Sequence, residues 1–404
     1  MSAGYNIPAQ SSAGGIVSKQ LLFIPGPVTV AEPVLAAMGK PMIDHRGPEF
    51  KVLLESISRK LKPVFGTSGD VVILGSSGTG GLEAAMTNMF APGEKVLCCP
   101  VGVFGDRFAE IARTWGVEVE VLPTAWGHGV DAQALKARLD ADTKREIKGV
   151  ILTHNETSTG VQNPMGPLAD AIRAHGALVL VDSVSGLAAS EFTMDAWGFD
   201  VVVAASQKAL GVPPGISMVA ISPRAWEKMA TANAPRYYFD LRKAREFAAI
   251  GQTPATPPVS QCFAMDVALD RYAETGPANV WARHQRYTDG IIAAAETLGL
   301  ELFAQPGVRS VTVTAIKVPA GIDGDAIRKT MRVERGYVLG GGQARLAGTI
   351  VRIGTMGDIS QTDVLGMLGA FEMELLGAGL KIQVGSGVQA ALRVFLEASQ
   401  PSAA

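Results

Sequence analysis

Between residues 71 and 221, short apolar runs alternate with stretches of helical spacing. The runs are Val71–Leu74, Lys95–Cys99, Val117–Leu122, Gly149–Thr153, Ala177–Val181, Phe199–Ala204 and Ile216–Ile221. The helical pattern falls on Gly80–Phe90, Phe104–Trp115, Ala132–Asp140 and Pro167–His175. A strand that is apolar at successive positions must be covered on both faces, and interleaved helices supply that cover. The fold class is therefore α/β, with a large, mostly parallel sheet. The alternation stops near residue 222. A loop dense in Thr and Pro (253–258) precedes two long helical patterns, Val259–Glu274 and Ala278–Leu298. Strands at Val308–Ala315 and Gly348–Arg352, with helices at Gly324–Met331 and Gln361–Leu376, read as a smaller α+β C-terminal domain. A further helical segment, Val388–Ala398, extends it. At 404 residues the chain is long enough for two domains. The expected division is a flexible N-terminal arm over 1–20, a large domain over 21–258 and a small domain over 259–404.

Charge and composition remove several classes of function. Lys and Arg total 36 against 38 for Asp and Glu, a net charge of −2, so nothing drives binding to a nucleic-acid backbone. No apolar run approaches the roughly 20 residues of a membrane span. Cys98, Cys99 and Cys262 form neither a disulfide framework nor a zinc spacing, and the five histidines are scattered, so no metal is expected. The first 20 residues lack the basic start and apolar core of a secretory signal. The expected location is the cytoplasm.

Three strand ends carry chemistry. Gly75-Ser76-Ser77-Gly78-Thr79-Gly80-Gly81 follows one strand and opens a helix. Glycines admit a ligand close to the backbone, and the helix N-terminus offers free N–H groups, so this turn suits a phosphate; a plain strand–helix turn has the same composition. It matches neither a dinucleotide fingerprint nor a Walker motif, having Glu83 at the third glycine position and no following Lys. Asp182 ends the run Ala177–Val181, as a carboxylate for a cationic group or as a helix cap. Lys208 follows the run ending at Ala204 and Ser206-Gln207, either solvated or partly desolvated into a nucleophile. Together the three match the needs of pyridoxal 5'-phosphate: a phosphate cradle, a carboxylate for the ring nitrogen and a Schiff-base lysine.

The chain resembles class V pyridoxal-phosphate aminotransferases, specifically the alanine–glyoxylate and serine–glyoxylate (serine–pyruvate) group, from about Leu21 to Gly379. The strings that carry the resemblance are Ile24-Pro-Gly-Pro27, Ser77–Ala85, Gly102-Val-Phe-Gly-Asp-Arg107, Thr153–Gly160, Val181–Val184, Ser206–Lys208 and Val351–Gly354. The resemblance implies a fold-type I aminotransferase and a homodimer with the site shared between subunits. It implies that Lys208 joins the cofactor and Asp182 meets the ring nitrogen. Ser77, Gly78, Thr79 and Gln207 match phosphate contacts, and Thr256 matches a contact to the neighbouring subunit's phosphate. Some relatives carry Tyr where this chain has Thr253. Phe104 stands where many relatives stack a Trp over the ring, Thr157 matches the hydroxyl near the ring's 3-oxygen, and Val184 packs under the ring.

Arg352 interrupts the strand pattern Ile350–Gly354, and alternation puts it on the face of Ile350, opposite Val351 and Ile353. A forked guanidinium there can hold a substrate carboxylate in two parallel hydrogen bonds. Gly26, in the first of the matched strings, and Arg46, in a His-Arg pair found in bacterial members of the group, are the other expected substrate residues; Arg46 suits equally a substrate side chain, the dimer partner or a structural ion pair. The expected activity is ping-pong transfer of an amino group from serine, alanine or aspartate to glyoxylate, giving glycine and a 2-oxo acid. The rivals are a cysteine desulfurase or lyase of the same fold, against which stands the lack of any Cys after Cys262, and a non-catalytic binding subunit.

Overall fold

The computed structural model describes residues 20–398. The expected arm over 1–20 lies outside the described residues except for Gln20. In chain order the strands are β1 (Leu21–Phe23), β2 (Asp70–Leu74), β3 (Lys95–Cys99), β4 (Glu118–Val121), β5 (Ile147–Thr153), β6 (Asn155–Glu156) and β7 (Val161–Gln162). They continue as β8 (Leu178–Asp182), β9 (Val201–Ala205), β10 (Ser217–Ile221), β11 (Val313–Lys317), β12 (Tyr337–Gly341) and β13 (Ile350–Gly354).

The large sheet has the order β2-β10-β9-β8-β5-β3-β4. Only β10 runs against its neighbours. β8, β9 and β10 are buried along their whole length, which explains why their sequences are apolar except at Asp182 and Ser217. Two cores cover the two faces. One is packed by the helices Pro48–Phe65 and Val259–Thr275, the other by Gly78–Met89 and Val103–Thr114. Because β2, β3, β5, β8 and β9 run the same way, the segments that follow them gather at one end of the sheet. In open α/β sheets that end is where ligands bind.

A second sheet has the order β1-β12-β13-β11. Its core is closed by the helices Pro277–Thr297, Gln361–Gly377 and Ser386–Glu397. Val351 and Ile353 point into that core while Ile350 joins a small cluster on the opposite face, as the alternation requires.

The expected boundary between residues 258 and 259 does not follow the cores. The helix Val259–Thr275 contributes Cys262, Met265 and Leu269 to the large-sheet core. At the other end of the chain, Leu21–Phe23 pairs in parallel with β12 and belongs to the second sheet. Amphipathic spacing shows that an element buries a face and not which core receives it. The strands expected over 308–315 and 348–352 are found a few residues later, at β11 and β13.

Candidate active site

Lys208 follows β9 on a short turn. Its amine donates to the Pro25 carbonyl across the chain. Burial lowers its pKa to about 8; Asp182 opposes that shift, while the charges of Arg352 and Arg107 reinforce it. Gly26 packs directly on this lysine: a Cβ there would lie 2.7 Å from Nζ. Its φ of +122° is also a conformation that side chains rarely adopt.

Asp182 is the last residue of β8 and is 5% exposed. Burial pushes its carboxyl up to about 7, despite a 2.9 Å hydrogen bond from the Val184 N–H; Glu156 adds to the rise, and Lys208 and Arg107 oppose it. A buried acid of this kind is stabilised as a carboxylate by a cation placed against it. The neighbouring His154 is held neutral, its pKa lowered to about 4 by burial, and its Nδ1 lies 2.9 Å from Ser183 Oγ.

Ser77, Gly78 and Thr79 form the N-terminus of the helix Gly78–Met89. The first turn carries no acidic residue, and the Ser77 side chain makes no capping bond. The turn therefore leaves N–H groups and hydroxyls for an anion. Gly78 is required by close approach, since a Cβ would sit 2.7 Å from Val184 Cγ2. Ser77, Gly78, Thr79, Phe104, Thr157, Asp182, Val184, Gln207 and Lys208 line one pocket.

Sequence reasoning assigned no role to Glu156, which organises this pocket's wall. The side chain is fully buried. One carboxylate oxygen accepts from the N–H groups of Phe104 (2.9 Å) and Gly105 (3.1 Å), and so caps the helix Val103–Thr114. The other accepts from the Ser158 N–H (3.0 Å) and hydroxyl (2.7 Å). Burial raises its pKa, and these four bonds pull it back. The carboxylate thus fixes Phe104 and the 156–158 turn together. The available signal was a polar run, Thr153 to Thr159, directly after an apolar strand. Asn155, also without an assigned role, lines the pocket and donates to Ser185 Oγ and Thr312 Oγ1, each at 2.8 Å.

Arg352 enters from β13 and is 6% exposed. Its Nε donates to the Gly341 carbonyl (2.7 Å), and Nη1 donates to the Thr157 carbonyl (2.8 Å) and to Gln343 Oε1 (3.3 Å). Burial lowers its pKa to about 10, which leaves it a cation at neutral pH. The expected fork is half used: backbone carbonyls take Nε and one N–H of Nη1. Among the described residues nothing bonds Nη2, which is the edge left for a carboxylate.

Gly26 and Arg352 do not line this pocket themselves but contact lining residues, Lys208 and Thr157, whereas two other expected residues stand apart from it. Arg46 is exposed; its Nη1 donates to Gln252 Oε1 (2.9 Å) and the Thr253 carbonyl (2.7 Å), and its guanidinium lies over the Phe247 ring. Thr256 is exposed on the same loop and does not line the pocket of its own chain. Among the described residues no three His, Cys, Asp or Glu side chains are grouped to hold a metal ion, and no helix is long and apolar enough to cross a membrane.

The pocket's donors fit pyridoxal phosphate. The open helix N-terminus and the side chain-free Gly78 suit a phosphate. Gln207 presents a buried amide oxygen with no partner, a group whose oxygen and nitrogen exchange by rotation. Asp182 and Lys208 are the acid and amine that the ring nitrogen and aldehyde need.

A model of the family described as Aminotransferase class-V matches residues 34–348. A protein named soluble hydrogenase 42 kDa subunit, from Anabaena cylindrica, is 40% identical over 379 residues, covering 93% of this chain and 99% of that one. An L-aspartate–glyoxylate aminotransferase from Paracoccus denitrificans is 38% identical over 380 residues, covering 93% and 96%. The crystal structure of a ureidoglycine–glyoxylate aminotransferase from Bacillus subtilis matches with a TM-score of 0.88 at 29% identity, over 93% of this chain and 98% of that one. With the amine, acid and anion cradle at one end of the sheet, this likeness fixes the chemistry: the chain belongs to the class V aminotransferases, enzymes that work with pyridoxal phosphate on a fold-type I scaffold.

Proposed function

We propose that this aminotransferase moves the amino group of a small amino acid (serine, alanine or aspartate) to glyoxylate, giving glycine and a 2-oxo acid in two half-reactions. The observation that carries the reading is the convergence of Lys208, Asp182 and Arg352. The choice of glyoxylate is supported by the names of the Paracoccus and Bacillus relatives.

Pyridoxal phosphate, when bound, supplies an aldehyde for the amine and a ring that withdraws electrons from the donor's Cα. Ser77, Gly78, Thr79 and Gln207 hold its phosphate. Asp182 keeps the ring nitrogen protonated, and that cation in turn favours the Asp182 carboxylate. Phe104 and Val184 pack against the ring's faces, and Thr157 offers its hydroxyl to the ring's 3-oxygen. Lys208 has a pKa near 8, so an appreciable fraction of its amine is neutral at working pH. That Nζ would take the proton from the donor's Cα and pass it to the cofactor's former aldehyde carbon, two bonds away across the amino nitrogen. Gly26 leaves the lysine room to move. Arg352 holds the α-carboxylate through Nη2.

The same reading includes a second copy of the chain. Met42, Val52, Tyr237, Tyr238 and Ile250 are large apolar side chains left exposed. Met42 flanks Arg46 in sequence and Ile250 flanks the 252–258 loop, which Arg46 braces. A dimer formed on this surface covers these side chains and carries Thr256 to the partner's cradle. Within each copy, two units are proposed for the described residues: β1 with those after Thr275, and the remainder around the large sheet. Three buried free cysteines support a reducing compartment, the cytoplasm.

The test is glycine formation. Purified protein with pyridoxal phosphate and glyoxylate is given serine, alanine or aspartate in turn, and products are quantified by amino-acid analysis. Glycine and the matching 2-oxo acid in equal amounts support the reading. No glycine with any donor overturns the choice of acceptor.

A further inference from the structure

We propose that Arg107 grips the phosphate of the cofactor and supplies the positive charge that the cradle lacks. The inference rests on the assignment of pyridoxal phosphate to this pocket.

A phosphate monoester carries a charge of about −1.5 to −2 at neutral pH. The cradle residues Ser77, Gly78, Thr79 and Gln207 are all uncharged. Two cations line the pocket, Lys208 and Arg107. Lys208 is committed to the aldehyde, and in the chain alone its amine bonds the Pro25 carbonyl. Arg107 is the remaining charge.

Its placement suits the task. Arg107 lies one turn after Phe104 on the helix Val103–Thr114, and its guanidinium stacks over the Phe104 ring, 4.8 Å from the centroid. Nη1 lies 3.4 Å from Thr79 Oγ1, so the cation borders the cradle itself. Among the described residues it forms no ion pair, although it is half-buried. A part-desolvated cation with no carboxylate is costly to maintain unless an anion arrives. Its charge also reaches inward, depressing the pKa of both Lys208 and Asp182. Stacking on Phe104 pre-orients the planar fork, and phosphate is among the anions that this fork matches in two hydrogen bonds.

The experiment compares Arg107→Gln and Arg107→Lys with the wild type, using full-length protein stripped of cofactor and checked for an unchanged circular dichroism spectrum. Affinity is measured by absorbance titration with two probes, pyridoxal phosphate and pyridoxal. Arg107→Gln is expected to weaken pyridoxal phosphate about ten- to hundredfold, the effect of a charge-assisted hydrogen bond. Its affinity for pyridoxal, which has no phosphate, is expected to stay within about twofold, and Arg107→Lys to recover part of the loss. Pyridoxal phosphate binding that does not change in Arg107→Gln overturns the inference. Equal weakening of both probes also overturns it, because that is the result of disturbing Phe104 alone. Failure of the wild-type protein to bind pyridoxal phosphate is a different result, and sinks the cofactor assignment with it.

Discussion

Replacing Arg352 by Ala tests how the substrate is held. A guanidinium has five N–H groups. In this structure Gly341, Thr157 and Gln343 take three of them, through Nε and Nη1. The two on Nη2 remain; they diverge by about 120°, so one of them serves a given carboxylate in a charge-assisted hydrogen bond. Such a bond contributes roughly 1.5–3 kcal/mol, so its loss is about ten- to hundredfold in kcat/KM. A loss of this size could also come from disturbed packing, because one buried and two part-buried acceptors lose their donor. The assay therefore sets each amino acid against the amine that lacks its carboxylate, such as serine against ethanolamine. In the wild type the amino acid is preferred by the worth of the carboxylate contact. In Arg352→Ala that preference should fall by the same factor, with little change for the amine. Arg352→Lys should lie between, since an ammonium cannot reproduce a planar donor edge. An unchanged amino-acid kcat/KM, or an equal fall for amine and amino acid, refutes the reasoning.

Two further outcomes are expected. The folded pKa of Lys208, about 8, lies below the ordinary lysine value of 10.5, so between these pH values the unfolded chain holds more protons and the cofactor-free fold gains stability as pH rises. Urea melts of the cofactor-free wild type should show this gain, at most about 3 kcal/mol, and Lys208→Met should lack it; identical pH profiles would remove the buried, desolvated lysine. Gly78→Ala pushes a methyl group against Val184 and should weaken cofactor binding roughly tenfold or more, with Gly78→Ala/Val184→Ala recovering part of it; full affinity in the single variant contradicts the close contact.

The parts of this site that were legible in the sequence are those where an apolar strand stops at a polar residue. Asp182, Lys208 and the Ser77–Thr79 turn sit at such stops, and a parallel sheet brings them to one end whatever the details of the helices. Arg352 was legible because a charge inside an alternating strand needs a reason. Glu156 was not. Its neighbours are polar, which reads as a solvated loop, yet Thr153 to Thr159 is buried throughout because many of its polar groups find partners inside the fold, Asn155 Oδ1 being an exception. Arg107 lay in a matched string, but its use depends on the stacking with Phe104, which needs the helix to be placed. Non-local pairing explains the remaining differences. β12 ends in Gly340-Gly341, poor strand formers, and is held between β13 and a strand from the opposite end of the chain.

The central claim is that Lys208 and its pocket run both halves of an amino transfer on pyridoxal phosphate. An absorbance spectrum of the purified protein tests it most directly, recorded before and after one amino donor and again after glyoxylate, with Lys208→Ala as the control. The expected result is a yellow protein that bleaches with a donor and regains its colour with glyoxylate, and a Lys208→Ala variant that does not complete the cycle. A protein that stays colourless with added pyridoxal phosphate, or a Lys208→Ala variant that cycles like the wild type, would contradict it.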